Sequence, residues 1–143
     1  MSHFRPGITI EILNKFSANT LASHLGIEVI GIGADSDSIT AKMPVDHRTH
    51  QPLGLLHGGA SVALAETLGS IGAMCCLDFD KQYCVGLEIN ANHIKSARSG
   101  FVHGTAKPIH IGKRTQVWEI KIVNESQELV CISRITLAII DKR

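Results

Sequence analysis

The chain has 143 residues, 44% of them hydrophobic and 19% charged, with a formal net charge of +1. That length and make-up fit one folded domain with a single hydrophobic core and exclude a disordered chain. Near-balanced charge and the lack of a basic stripe interleaved with aromatic residues argue against nucleic acid as a partner. Small basic clusters are left as sites for a phosphorylated ligand.

From the N-terminus, Met1 to Pro6 holds neither an apolar signal core nor a small-residue cleavage site, so a cytoplasmic protein is expected. Residues 9–16 place Ile10, Leu13 and Phe16 at helical spacing and predict a short helix. Two strands are expected at 27–32 and 39–45, joined across Gly33 to Asp37; in the second, Ile39, Ala41 and Met43 alternate with Thr40 and Lys42. A loop flanked by Pro and Gly carries His47 and His50. These lack the spacing of a metal-binding pair, and neither a metal nor a cofactor is expected.

An Ala-rich helix is predicted over about 60–76, then four strands near 84–94, 101–111, 114–124 and 129–140. The third alternates cleanly: Trp118, Ile120 and Ile122 share one face, Glu119 and Lys121 the other. Gly100, Gly112 and the polar run 124–127 supply short antiparallel turns. One domain over 1–143 results, of the α+β class, with a long helix packed on a curved antiparallel sheet. Cys75, Cys76, Cys84 and Cys131 form no CxxC pair and read as reduced small hydrophobes in the core.

Chemistry concentrates in residues 58–77, G-G-A-S-V-A-L-A-E-T-L-G-S-I-G-A-M-C-C-L. Cysteines apart, Glu66 is their only ionisable side chain. A helix that is apolar nearly all round is expected to be buried. An unpaired carboxylate in such a place is costly, and its pKa is driven upward. Its presence there points to function. Two structural readings compete: Glu66 pairs with a buried Arg or Lys such as Arg134, or the stretch crosses a membrane. Its Gly, Ala and Ser content and the alternating strands on either side oppose the second, so no membrane is expected as a partner.

Gly58 and Gly59 open this helix. Its unpaired N–H groups, approachable where side chains are missing, can polarise a carbonyl as its oxygen becomes an oxyanion. One such donor is worth ~3 kcal/mol to a transition state. A tight turn would use the same glycines. Gly58 and Glu66 are separated by about 12 Å of helix at ~1.5 Å per residue. The attacking group must come within about 3–3.5 Å of the carbon being polarised. One helix cannot do both. Two copies packed antiparallel about a two-fold axis can, which predicts a homodimer with sites between subunits. Ser70, one turn beyond Glu66 on the same face, can hold water or orient the acid, or bond back to its own helix.

The run R-T-H-Q-P-L-G-L-L-H-G-G-A-S-V-A-L-A-E-T-L-G-S, residues 48–70, resembles the hot-dog-fold acyl-CoA thioesterases. So do V-G-L-E-I-N-A-N-H-I-K-S-A-R at 85–98 and K-P-I-H-I-G-K-R-T-Q-V-W at 107–118. The nearest branch holds the 1,4-dihydroxy-2-naphthoyl-CoA thioesterases of menaquinone synthesis and their aryl-carrier proofreading relatives; hydroxybenzoyl-CoA thioesterases are more distant. The resemblance implies a central helix wrapped by an antiparallel sheet, in dimers that pair into tetramers. It implies Glu66 as nucleophile or general base, and Gly58 with Gln51 polarising the thioester carbonyl. His57 would orient that carbonyl and Ser70 assist the water. His93, Ser96 and Arg98 would line the thioester and pantetheine path, and Lys113 and Arg114 would meet the CoA phosphates. Thr67 stands where relatives often carry Ser.

The expected activity is hydrolysis of an aromatic acyl-CoA to free acid and CoA. Its nearest rival is a thioesterase for aryl groups held on a carrier protein. A hydratase would need a histidine beside Glu66, for which no motif is present, and a non-catalytic acyl-CoA sensor would have no use for that acid.

Overall fold

Alternating apolar residues give each strand one face to bury, and a small-residue helix supplies the cover. The computed structural model describes residues 1–33, 35 and 37–143. In chain order the elements are α1 (Ile10–Phe16), α2 (Leu21–His24), β1 (Glu28–Gly33), β2 (Ser38–Pro44), α3 (Gly58–Cys75), β3 (Gln82–His93), β4 (Phe101–Ile111), β5 (Thr115–Val123) and β6 (Leu129–Asp141). The strands form one antiparallel sheet in the order β1-β2-β4-β5-β6-β3. Among the described residues, edge strand β3 therefore has one side free of strand pairing.

Helix α3 lies against the inner face of this sheet, where Trp118, Ile120, Ile122, Ile135 and Leu137 are fully buried. Its glycines are contact points. A Cβ at Gly69 would fall 2.5 Å from Ile135, and one at Gly72 would fall 2.7 Å from the Trp118 ring. On the sheet side, a Cβ at Gly104 would meet Leu68 at 2.6 Å. Helix and sheet thus approach closely because bulky groups on one side meet missing side chains on the other.

The expected strands are present with ends shifted by up to two residues, and the main helix begins at Gly58, two residues earlier than expected. His57 caps it, so the turn is already helical at the glycines. Helix α2 was not expected: at four residues it is too short for a 3.6-residue period to register. The joining turn expected across Gly33 to Asp37 includes Ala34 and Ser36, which lie outside the described residues.

The first residues strap the far end of α3. The Arg5 N–H donates to Cys75 O at 2.8 Å, and Phe4 stacks on Trp118 with ring centroids 6.4 Å apart. Asp37 accepts from the Ser2 hydroxyl at 2.6 Å and pairs with the His3 ring at 2.7 Å. Among the described residues, no helix is long and apolar enough to cross a membrane.

Candidate active site

The start of α3 is a cluster of backbone donors ordered by one side chain. His57 Nδ1 accepts from Gly59 N–H at 2.8 Å, while His57 O takes the N–H groups of Ala60 and Ser61. Because Nδ1 accepts, the ring proton resides on Nε2, which is left to donate. The Gly58 N–H has no hydrogen-bond partner among the described residues. It borders a cavity of about 340 Å³ lined also by Gln51, Ser61, His93 and Ser96.

Gln51 and His93 are placed by local chain geometry. The Gln51 side-chain oxygen accepts from Leu53 N–H, which commits its NH₂ end to donation. Its loop is pinned by Gln51 N–H to Leu55 O at 2.8 Å and by Leu56 N–H to Ala97 O at 2.7 Å. His93 closes over the helix start, since a Cβ at Gly58 would lie 2.9 Å from its Nε2. A Cβ at 58 would push that ring aside, so glycine there lets His93 sit against the helix start.

Glu66 lies elsewhere. It and Ser70 line a second cavity of about 930 Å³, bounded by Phe16, Met74, Phe79 and Tyr83. Burial of Glu66 within its own chain was expected and is not found: the side chain is exposed. The reason is that α3 seals only the face bearing Leu64, Ala65, Leu68 and Gly72. The face bearing Glu66 is nearly as rich in small and apolar residues, but among the described residues α1, α2 and β3 only wall the cavity in front of it and do not seal it. Glu66 makes no hydrogen bond or ion pair among the described residues. Arg134, its suggested partner, is exposed on β6 opposite Asn90 and Glu119. The Ser70 hydroxyl is without a hydrogen bond among the described residues, so back-bonding to the helix is not observed. Its carbonyl accepts from Cys84 Sγ at 3.7 Å.

The remaining candidates divide. Ser96 joins Gln51 and His93 in one cavity wall, and Arg98 is exposed beside it, its carbonyl 3.0 Å from His50 Nε2. Lys113 and Arg114 are exposed on the β4–β5 hairpin at the other end of the sheet. The register there runs Thr115 to Ala138 to Val85, whereas His93 faces Cys131. Eight strand residues, about 26 Å at ~3.3 Å each, separate the two ends. Met74 lines the second cavity, but Cys75 is buried in the core and Cys76 packs against it. All four cysteines are free. Burial pushes the Cys75 and Cys76 thiols up to about 12, which makes them poor nucleophiles. Among the described residues, no group of three or more His, Cys, Asp or Glu side chains is arranged to hold a metal.

Sequence reasoning missed Gly86. A Cβ there would lie 2.8 Å from Glu66 Oε1. The available signal was a glycine inside an otherwise strand-like run, which marks a bulge or a close approach.

A family model described as the Thioesterase superfamily matches residues 53–131, more than half of the chain. The chain belongs to that superfamily. This thioesterase is 51% identical over 133 residues to the 1,4-dihydroxy-2-naphthoyl-CoA hydrolase of Escherichia coli, covering 93% of this chain and 96% of that one. It is 48% identical over 132 residues to a proofreading thioesterase of Cronobacter turicensis, covering 92% and 94%. Its fold matches the crystal structure of a mutant thioesterase from Pseudomonas aeruginosa with a TM-score of 0.95 and 45% identity, over 99% of this chain and 100% of that one. It is a hot-dog-fold thioester hydrolase, as the sequence resemblance implied.

Proposed function

We propose that this thioesterase hydrolyses an aromatic acyl-CoA at sites shared between two copies of the chain, with Glu66 as nucleophile or general base. One observation carries the reading. The polarising groups Gly58 and Gln51 border one cavity, with His93 in its wall, and Glu66 with Ser70 borders another. About 12 Å of helix separates the two halves. A second copy, related by a two-fold axis, brings one chain's Glu66 to the other's Gly58.

The free edge of β3 supports that pairing. Tyr83, Val85 and Leu87 are exposed along it, and a long apolar edge strand is a template for another strand. Two β3 strands joined antiparallel would set their α3 helices side by side in opposite directions and cover the Glu66 face. Pairing of such dimers into tetramers belongs to the same reading. Lys113 and Arg114 lie in the Glu66 half of the sheet, so the subunit that supplies the acid would also supply these phosphate contacts.

In the general-base route, Glu66 takes a proton from water held by Ser70, and the oxygen attacks the thioester carbon. The negative charge collects on the carbonyl oxygen, facing Gly58 N–H, the Gln51 NH₂ and His57 Nε2–H. The carbon–sulfur bond then breaks, and the thiolate leaves and takes up the proton. In the nucleophilic route, a Glu66 oxygen forms the new bond, the thiolate leaves, and water hydrolyses the resulting anhydride. Single turnover in heavy-oxygen water separates them: label in Glu66 supports the anhydride. The aromatic walls Phe16, Phe79 and Tyr83 support an aryl acyl group. Four free cysteines and a CoA substrate fit a cytoplasmic enzyme, and the Escherichia coli relative supports a place in menaquinone synthesis.

The Cronobacter relative supports a second reading, in which the aryl thioester is carried on a protein. Free-thiol release from aryl-, phenylacetyl- and fatty acyl-CoAs, set beside an aryl-loaded carrier, tests both. Preference for aryl-CoA is expected. Faster turnover of the carrier favours the second reading, and no hydrolysis of any substrate overturns both.

A further inference from the structure

Gly86 lies on β3 at a point where the pairing with β6 slips: Gly86 faces Leu137 and Glu88 faces Thr136, which leaves Leu87 as the extra residue of a bulge. A Cβ at Gly86 would stand 2.8 Å from Glu66 Oε1 and 3.7 Å from Glu66 Cδ. The backbone does not ask for glycine here, because Gly86 is not among the residues with positive φ. Nor does the core, since the nearest other atom, Ile135 Cδ1, would be 3.7 Å away, an ordinary contact. Among the described residues, the one atom such a Cβ would meet closer than 3.7 Å is the carboxylate oxygen.

We propose that Gly86 is a positioning residue for Glu66, its absent side chain leaving the place in which the carboxylate sits. The inference rests on Glu66 being the attacking or proton-accepting group. No hydrogen bond or ion pair among the described residues holds that carboxylate, so its place on the exposed face of α3 is set by shape. A Cβ at position 86 requires the oxygen to move, by about 0.6 Å to go from 2.8 Å to the 3.4 Å at which ordinary contact begins. The glutamate end is flexible and the strand is paired, so the acid is what moves. A displacement of that order at a reacting group lowers turnover by about tenfold to a hundredfold.

The test uses purified full-length protein and thiol release from a hydrolysable aryl-CoA. Gly86→Ala should lower kcat by about tenfold to a hundredfold, with KM changed less than about threefold and melting temperature nearly unchanged. Glu66→Asp withdraws the acid by one methylene, so it should cost clearly less in the Gly86→Ala background than in the parent. Equal proportional losses in both backgrounds, or unchanged kcat in Gly86→Ala, overturn the proposal. Where Gly86→Ala lowers the melting temperature, the same substitution should be tolerated once Glu66→Ala removes the carboxylate. An equal drop in that background also overturns it. The reading of Glu66 as catalytic fails separately, through a fully active Glu66→Gln, whereas this melting comparison reads the Gly86–Glu66 contact without activity.

Discussion

The two faces of α3 are built from nearly the same residue types, yet they meet different fates. One carries Leu64, Ala65, Leu68 and Gly72 and is sealed by the sheet. The other carries Val62, Ala63, Glu66, Thr67 and Ser70 and faces a cavity. The difference teaches that composition reports how apolar a surface is and not which chain covers it. The inner face makes the fold, and the outer face borders an open cavity, where the proposed function places a second copy and the substrate.

The largest expected effect lies on the outer face. Glu66→Gln should lower kcat by about 10³-fold or more while the melting temperature holds, because it removes the acid and touches no core contact. A charge on the β3 edge, Val85→Lys, should come next. It should shift the protein toward monomer in sedimentation velocity and lose activity in proportion to the dimer lost. On the inner face the order reverses. Gly72→Ala drives a methyl group into the Trp118 ring and should destabilise by about 1–3 kcal/mol in urea unfolding, with kcat kept in whatever remains folded. Helix propensity favours alanine by about 1 kcal/mol, but the fully buried ring has nowhere to go.

The smallest effect concerns the N-terminal strap. Burial raises the Asp37 pKa, yet hydrogen bonds from Ser2 and His3 outweigh it, and the carboxyl stays below its ordinary value. A lowered folded-state pKa stabilises above the unfolded value near ~4, and that stabilisation is lost as pH falls through and below it. Thermal melts from pH 6 down to pH 3 should therefore show a slightly shallower acid loss in Asp37→Asn than in the parent.

Much of this was legible in the sequence, for identifiable reasons. Strand β5 could be read because Trp118, Ile120 and Ile122 alternate with Glu119 and Lys121, and the structure buries the first set completely. Glu66 stood out because nothing else in residues 58–74 can ionise. Its exposure could not be read, because the open face and the face packed on the sheet carry nearly the same small and apolar residues. Helix α2 is too short to show a period. Gly86 was hidden because its reason is a carboxylate twenty residues earlier in the chain. The division of Gln51, His93 and Ser96 from Lys113 and Arg114 follows from strand register, which only the fold discloses.

Subunit mixing tests the shared site most directly. Chains carrying Glu66→Gln are combined in equal amounts with chains carrying Gln51→Ala, dissociated and reassembled. Random pairing makes half of the dimers mixed, and each mixed dimer holds one undamaged site, so about a quarter of parental activity should return. If mixed dimers form and activity stays at the sum of the two single variants, each site lies within one chain and the account is wrong.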